Sequence, residues 1–230
     1  MFYLDPLYLV FALPALLLAF FAQLKVQSAY RKYSAQPNMR GLSGVDAARV
    51  LLSEAGLSGI NIEGIAGELT DHYDPRSKTL RLSQGVAGSR SVASLGIVAH
   101  EVGHAQQDWQ GYMPMKLRSG LVPIVNLGTW AGPILFFSGM LLRSVVVAEI
   151  GLIAFTGAVI FTAVTLPVEL NASSRALKLL QAGNLVDNRE LDGARSVLSA
   201  AALTYWAALA QAISTLLYYA FLLSGMRRRD

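Results

Sequence analysis

The chain has 230 residues, 53% hydrophobic and 15% charged, with a mean hydropathy of +0.44 and no cysteine. That balance excludes a disulfide framework and a thiolate metal site, and it is the profile of an integral membrane protein with a modest polar part. The formal net charge of +4 makes no case for nucleic acid, because the basic residues are spread along the loops.

Residues Leu7 to Leu24 carry no charge. A cleaved signal peptide has basic residues before its apolar core; here Asp5 comes before it and Lys25, Arg31 and Lys32 after it, which predicts a retained anchor. From Lys25 to Gly120 the chain is polar and mixed. Ser43 with Asp46 resembles a capping box, and Gly56 is a stop, for a short helix carrying Ala47, Val50, Leu51 and Leu52. Ile60–Glu63 alternates, and Glu68–Tyr73 and Lys78–Leu82 flank an Asp74-Pro75 turn, so a small antiparallel sheet is predicted here. Gly85 to Arg90 reads as a loop. Three more apolar blocks follow the polar part: Leu121–Leu142, with Pro123 and Pro133 predicting a kink, Val145–Val168, and Ala200–Ser224. Each meets the roughly 20 residues needed to cross a bilayer.

Four crossings put residues 25–120 and 169–199 on one side. Those stretches hold eleven and four Lys or Arg, against four elsewhere (Arg143, Arg227, Arg228, Arg229), so that side is expected in the cytoplasm. The Arg227–Arg229 run dissents. This divides the chain into a transmembrane anchor (1–24), a cytoplasmic portion with the sheet and a motif helix (25–120), two transmembrane helices (121–168), a second cytoplasmic segment (169–199) and a last transmembrane helix with a basic tail (200–230).

The polar part contains His100-Glu101-Val102-Gly103-His104, the H-E-x-x-H pattern of zinc hydrolases. Residues four apart stack on one helical face, so His100 and His104 can bind one metal together. The helix is predicted from about Ser91 to Asp108, without a strong cap in its first turn. On a helical wheel Leu95, Val98, Ala99 and Val102 share the face opposite the histidines, and Glu101 flanks the metal side. These are two of only three histidines. The rival is a surface helix with two solvated histidines.

A hydrolytic zinc site expects a third protein ligand and an open water position. The extended zincin pattern is absent, because Gln107 and Gln110 stand where it has Gly and His. His72 lies before the helix in the predicted sheet. Asp108 turns toward the Glu101 flank. Glu169 is the better candidate: it follows Pro167 at the end of the third apolar block and begins a helical run. Its rival role is a carboxylate near a helix start, favoured only by the helix dipole.

Four runs occur in order: Leu69–Ser83, Ala99–Gln107, Leu166–Leu177 and Ala200–Tyr205. Together they resemble the YugP-like family of bacterial membrane zinc metallopeptidases, of the neutral zinc metallopeptidase (Zn_peptidase_2) type, over nearly the whole chain. The resemblance implies that the carboxylate of the Pro-Val-Glu block, here Glu169, is the third zinc ligand. More distantly the chain is similar to the prenyl-protein and heat-shock membrane metallopeptidases, which carry a later E-x-x-x-D; Ser173 occupies the Asp position. The expected protein is therefore a mainly α integral membrane protein of about four transmembrane helices with a zincin-like α+β cytoplasmic portion. It is expected to act as a gluzincin-like Zn2+ peptidase in the cytoplasmic membrane, its site facing the cytoplasm.

His100, His104 and Glu169 would leave zinc one positive charge and an open position for water, with Glu101 as general base. His72, Tyr73 and Arg175 are the donors to test for the oxyanion. The strands before the helix could hold an extended peptide by strand addition. The expected partners are a membrane-associated protein or peptide substrate and the lipid bilayer. The alternative is a non-catalytic or latent scaffold or adaptor with a structural zinc site, though such a site has no use for Glu101 and is usually closed by four protein ligands. A metal-regulated transporter accessory fits less well, since the apolar blocks hold almost no mid-membrane charge.

Overall fold

The structure is a computed structural model and describes residues 6–227; Asp5, Arg228 and Arg229, used above in the orientation reading, lie outside the described residues. In chain order the elements are α1 (Pro6–Ser34), α2 (Gly44–Glu54), β1 (Asn61–Ile65), β2 (His72–Asp74), β3 (Thr79–Ser83), α3 (Gln84–Ala87), α4 (Val92–Trp109), α5 (Met113–Leu141), α6 (Val145–Ala182) and α7 (Asn188–Arg227). They group into two compact units, and α1, α6 and α7 each contribute one stretch to both.

One unit is built from the first part of α1, from Pro114–Pro167, and from α7 beyond Thr204. Its core is aromatic. Phe136 stacks on Tyr219 at 4.4 Å between ring centroids, with Phe155, Tyr218 and Leu223 packed around them. Helices α5 and α6 meet at Gly151, where a methyl group would clash with the backbone nitrogen of Phe136. Pro123 and Pro133 do not end α5, which runs unbroken through both. Large apolar side chains such as Val10, Phe20, Ile124, Leu127, Trp130 and Ile153 remain exposed. Only 17–28% of each helix's most apolar stretch is buried inside the protein, so all four helices are long enough, apolar enough and outwardly greasy enough to cross a membrane. Arg227 donates to Glu149, so the first residue of the dissenting basic run is already neutralised by a carboxylate.

The other unit comprises Gln23–Met113 and Val168–Leu203. All four apolar helices extend beyond the apolar blocks, α5 by starting at Met113. α1 continues to Ser34, just before the segment leading to Pro37, and α6 runs on to Ala182, where Asn184 takes a left-handed φ of 51°. α7 starts at Asn188 on a reciprocal Asp187–Glu190 cap. The Ser43–Asp46 capping box forms as expected and opens α2.

The sheet is mixed, not antiparallel as predicted. Its order is β1-β3-β2, with β3 parallel to β1 and antiparallel to β2. The alternating pattern identified strands but carried no direction. β3 takes the centre and is the most buried of the three, with Thr79, Leu80, Leu82 and Ser83 all inside. The expected strand over Glu68–Tyr73 shrinks to His72–Asp74, because Leu69 sits at φ 54°, which a strand cannot accommodate. Part of the expected Gly85–Arg90 loop is the short helix α3.

α4 departs from its predicted form in two ways. Ser91 and Ser94 form a reciprocal capping box, so the start is strongly capped by a serine pair in place of the usual Ser-Glu combination. The helix is also not half-solvated. Leu95, Val98, Ala99 and Val102 are buried as expected, but so are Ala93, Gly96, Gly103, Ala105 and Gln107 on the other faces. Ala93 packs with Ala29, Val197 and Ala200, making α4 the central helix of this unit.

Candidate metal centre

His100 and His104 stand one turn apart on α4, their rings edge-to-face with centroids 4.7 Å apart. Glu169 enters from α6 and is only 3% exposed. Its Oε2 lies 3.2 Å from His100 Nε2 and 3.4 Å from His104 Nε2. Gly103 permits this approach: a Cβ there would stand 2.6 Å from the carbonyl oxygen of Ala172 on α6. Any side chain would push the two ligand-bearing helices apart.

The nitrogens that face away from Glu169 are occupied. His100 Nδ1 lies 3.2 Å from Ser173 Oγ, and His104 Nδ1 lies 2.9 Å from Gln107 Oε1. Both Nε2 atoms therefore converge on one carboxylate oxygen. Zinc–nitrogen and zinc–oxygen bonds of about 2.0–2.1 Å at tetrahedral angles place neighbouring donors about 3.3 Å apart, which is the separation of Glu169 Oε2 from each Nε2. Two neutral imidazoles and one carboxylate also match the donor chemistry of a hydrolytic zinc site. Among the described residues, His100, His104 and Glu169 form a group that could hold a metal ion, and neither His72 nor Asp108 belongs to it.

Glu101 is buried beside this group, and one oxygen accepts the backbone N–H of Tyr73 at 2.9 Å. Burial pushes its carboxyl up, while charge on His100 and His104 acts the other way and only partly offsets it. The Tyr73 hydroxyl donates to Asp108 at 2.7 Å, and Lys78 pairs with the same oxygen. Burial, and then the Asp108 carboxylate, holds the Tyr73 phenol far above its usual range. β2 is thus fastened at Tyr73 to two carboxylates seven residues apart on one face of α4.

The other sequence-predicted donors lie as follows. His72 Nδ1 is 2.8 Å from the carbonyl oxygen of Thr70, a local contact at the strand start. Arg175 donates through Nε to Asn171 Oδ1 and through Nη1 to Gln110 Oε1, both at 2.7 Å. Sequence reasoning missed Gln107 and Asn171 as neighbours of the site. The signal available for Gln107 was its position three residues after His104, which places it within reach of the same ring.

Four helices fit to cross a bilayer and a largely buried His-His-Glu group able to take a metal define a class: a helical membrane protein with a candidate metal centre. Comparison with known proteins narrows it. The family described as "Putative neutral zinc metallopeptidase" matches residues 8–224, and the chain belongs to that family. It is 43% identical over 202 residues to "Putative membrane protease YugP" of Bacillus subtilis (strain 168), covering 88% of this chain and 90% of that protein. No solved structure matches.

Proposed function

We propose that the chain is an integral-membrane, zinc-dependent endopeptidase with His100, His104 and Glu169 as metal ligands and Glu101 as general base. The observation that carries this reading is the convergence of both Nε2 atoms on Glu169 Oε2 at zinc-like spacing, with a buried carboxylate alongside. When bound, zinc would polarise a carbonyl and make water acidic near neutral pH.

The chain's own residues do the rest. His100 and His104 offer lone pairs at Nε2, and Glu169 supplies the single negative charge. Glu101 takes a proton from the attacking water and later passes it to the leaving amine. Its hydrogen bond from Tyr73 N–H fixes one carboxylate oxygen and leaves the other for this transfer. Tyr73 also sets the edge of β2 beside Glu101, which suits an extended peptide laid along that strand. The zincin-like character of this portion rests on the same arrangement of a mixed sheet against a motif helix.

Glu169 follows directly in sequence on an apolar stretch of α6, which favours substrates that are membrane-embedded or membrane-proximal proteins. The excess of Lys and Arg in the polar segments supports a multi-pass protein of the cytoplasmic membrane with its site on the cytoplasmic side.

The test is to purify the protein in detergent and measure bound metal and cleavage of an unstructured protein, wild type beside Glu101→Gln and Glu169→Ala. One zinc per chain, retained in Glu101→Gln as cleavage disappears and lost in Glu169→Ala, is expected. A wild type that binds no zinc would overturn the reading. Zinc binding with no cleavage by any form would favour a scaffold.

A further inference from the structure

Gln107 is 0% exposed, yet its carboxamide bonds in three directions. Nε2 donates to the Val168 carbonyl oxygen at 2.8 Å and to Asn171 Oδ1 at 3.0 Å, and Oε1 faces His104 Nδ1 at 2.9 Å. Two independent constraints fix which end of the amide is which. A backbone carbonyl only accepts, so the group facing Val168 must be the NH2. Asn171 in turn must present its oxygen, because Arg175 Nε can only donate to it, and that oxygen again requires the Gln107 NH2. Oε1 is left for His104, and an acceptor there demands a proton on Nδ1. In the neutral ring the lone pair is then on His104 Nε2, the nitrogen that faces Glu169.

We propose that Gln107 is the positioning residue of this site: it locks His104 in its Nδ1–H tautomer and ties α4 to α6 at the residue before Glu169. This rests on the metal reading given above. One buried amide thereby sets both the direction of a donor on one helix and the placement of a carboxylate on the other. Asn171 and Arg175 form the outer layer that keeps the amide from flipping. His100 has no equivalent, since the Ser173 hydroxyl beside it can either donate or accept. The two histidines are therefore held with unequal strictness, His104 the more firmly. Neutral oxygen partners, Ser173 Oγ and Gln107 Oε1, face the outer nitrogens of both rings.

Full-length protein labelled with 15N-histidine and loaded with zinc in detergent carries only three labelled side chains, which makes the tautomers readable by NMR. A His72→Gln sample and a Ser173→Ala sample assign them. In the wild type, His104 is expected to coordinate through Nε2 with a slowly exchanging proton on Nδ1. Gln107→Met is expected to lose that protected proton and to weaken zinc, measured by chelator competition, by about 10–100-fold. Gln107→Glu keeps an acceptor facing His104 but sets oxygen against the Val168 carbonyl and Asn171 Oδ1, so it is expected to keep the Nδ1–H signal while losing the tie between α4 and α6. Zinc on Nδ1 of wild-type His104, or unchanged affinity and tautomer in Gln107→Met, would overturn the positioning role while leaving the metal site standing. Failure of the wild type to bind zinc would overturn the metal reading and this proposal with it. Should Gln107→Met not fold, the wild-type tautomer still decides.

Discussion

Gly103 and Ala172 mark the closest approach of the two helices that carry the candidate ligands. An ideal Cβ on Gly103 would lie 2.6 Å from the Ala172 carbonyl oxygen and 3.4 Å from its Cα. The obstacle is backbone of a packed helix, which cannot rotate away as a side chain could. Gly103→Ala is expected to cost about 1–3 kcal/mol of stability. It is also expected to separate Glu169 from the two Nε2 atoms, so zinc binding should weaken more than in a mutant of equal thermal stability altered at a distance. Thermal unfolding and zinc titration of the same samples check this.

Tyr73 joins β2 to α4 through two different atoms, its backbone N–H to Glu101 and its hydroxyl to Asp108. Tyr73→Phe removes only the second. Asp108 keeps Lys78 as a partner, so no buried charge is stranded. A loss of about 0.5–1.5 kcal/mol in unfolding free energy is expected. Tyr73→Phe combined with Lys78→Met should cost more than the sum of the two singles, because Asp108 then has neither partner. Denaturant or thermal unfolding of the four proteins measures that coupling.

Ser173 gives His100 a weak and undirected partner at Nδ1. Ser173→Asp would put a carboxylate at that position, as in the E-x-x-x-D of the more distant peptidases, and make His100 a more basic ligand. Zinc affinity is expected to rise, and Ser173→Ala is expected to lower it by no more than about tenfold. Competition with a graded series of chelators ranks the three proteins.

Asp74 anchors the β2–β3 turn. The Ser77 hydroxyl, the Arg76 backbone N–H and the Arg81 guanidinium all hold its carboxyl well below the usual range. A carboxyl depressed on folding stabilises the protein at pH above its unfolded value, near 3.9, and loses that contribution as pH falls below it. Asp74→Asn should therefore lower the unfolding temperature at pH 7, and the gap to wild type should narrow as pH is taken below about 4. A gap that does not change with pH would show the carboxylate's charge to be irrelevant to the turn.

What could be read from the chain was what depends on neighbours in sequence. The four long apolar blocks, the Ser43–Asp46 cap and the pairing of His100 with His104 at one turn's spacing are all local, and each is present in the structure. The Asp74-Pro75 turn was equally legible, since turn chemistry is written in adjacent residues. The limits of the same logic show at Ser91, where a serine in place of glutamate at the third position hid a working cap.

Tertiary structure decided the rest. Strand direction depends on which strand lies in the middle, and that follows from burial against α4 and its surroundings, beyond the reach of alternation within a strand. α4 became buried on nearly every face because elements distant in sequence wrap it, where periodicity alone suggested one wet side. Glu169 comes within 3.2 Å of His100 across 69 residues, and Gln107 reaches Val168 across 61. Hydrogen bonds of that kind are set by how closely two helices can pack, which here turns on the missing side chain of Gly103. The types of side chain that could hold a metal were visible in the sequence; their convergence, and the amide that orients them, exists only once α4 and α6 are in contact.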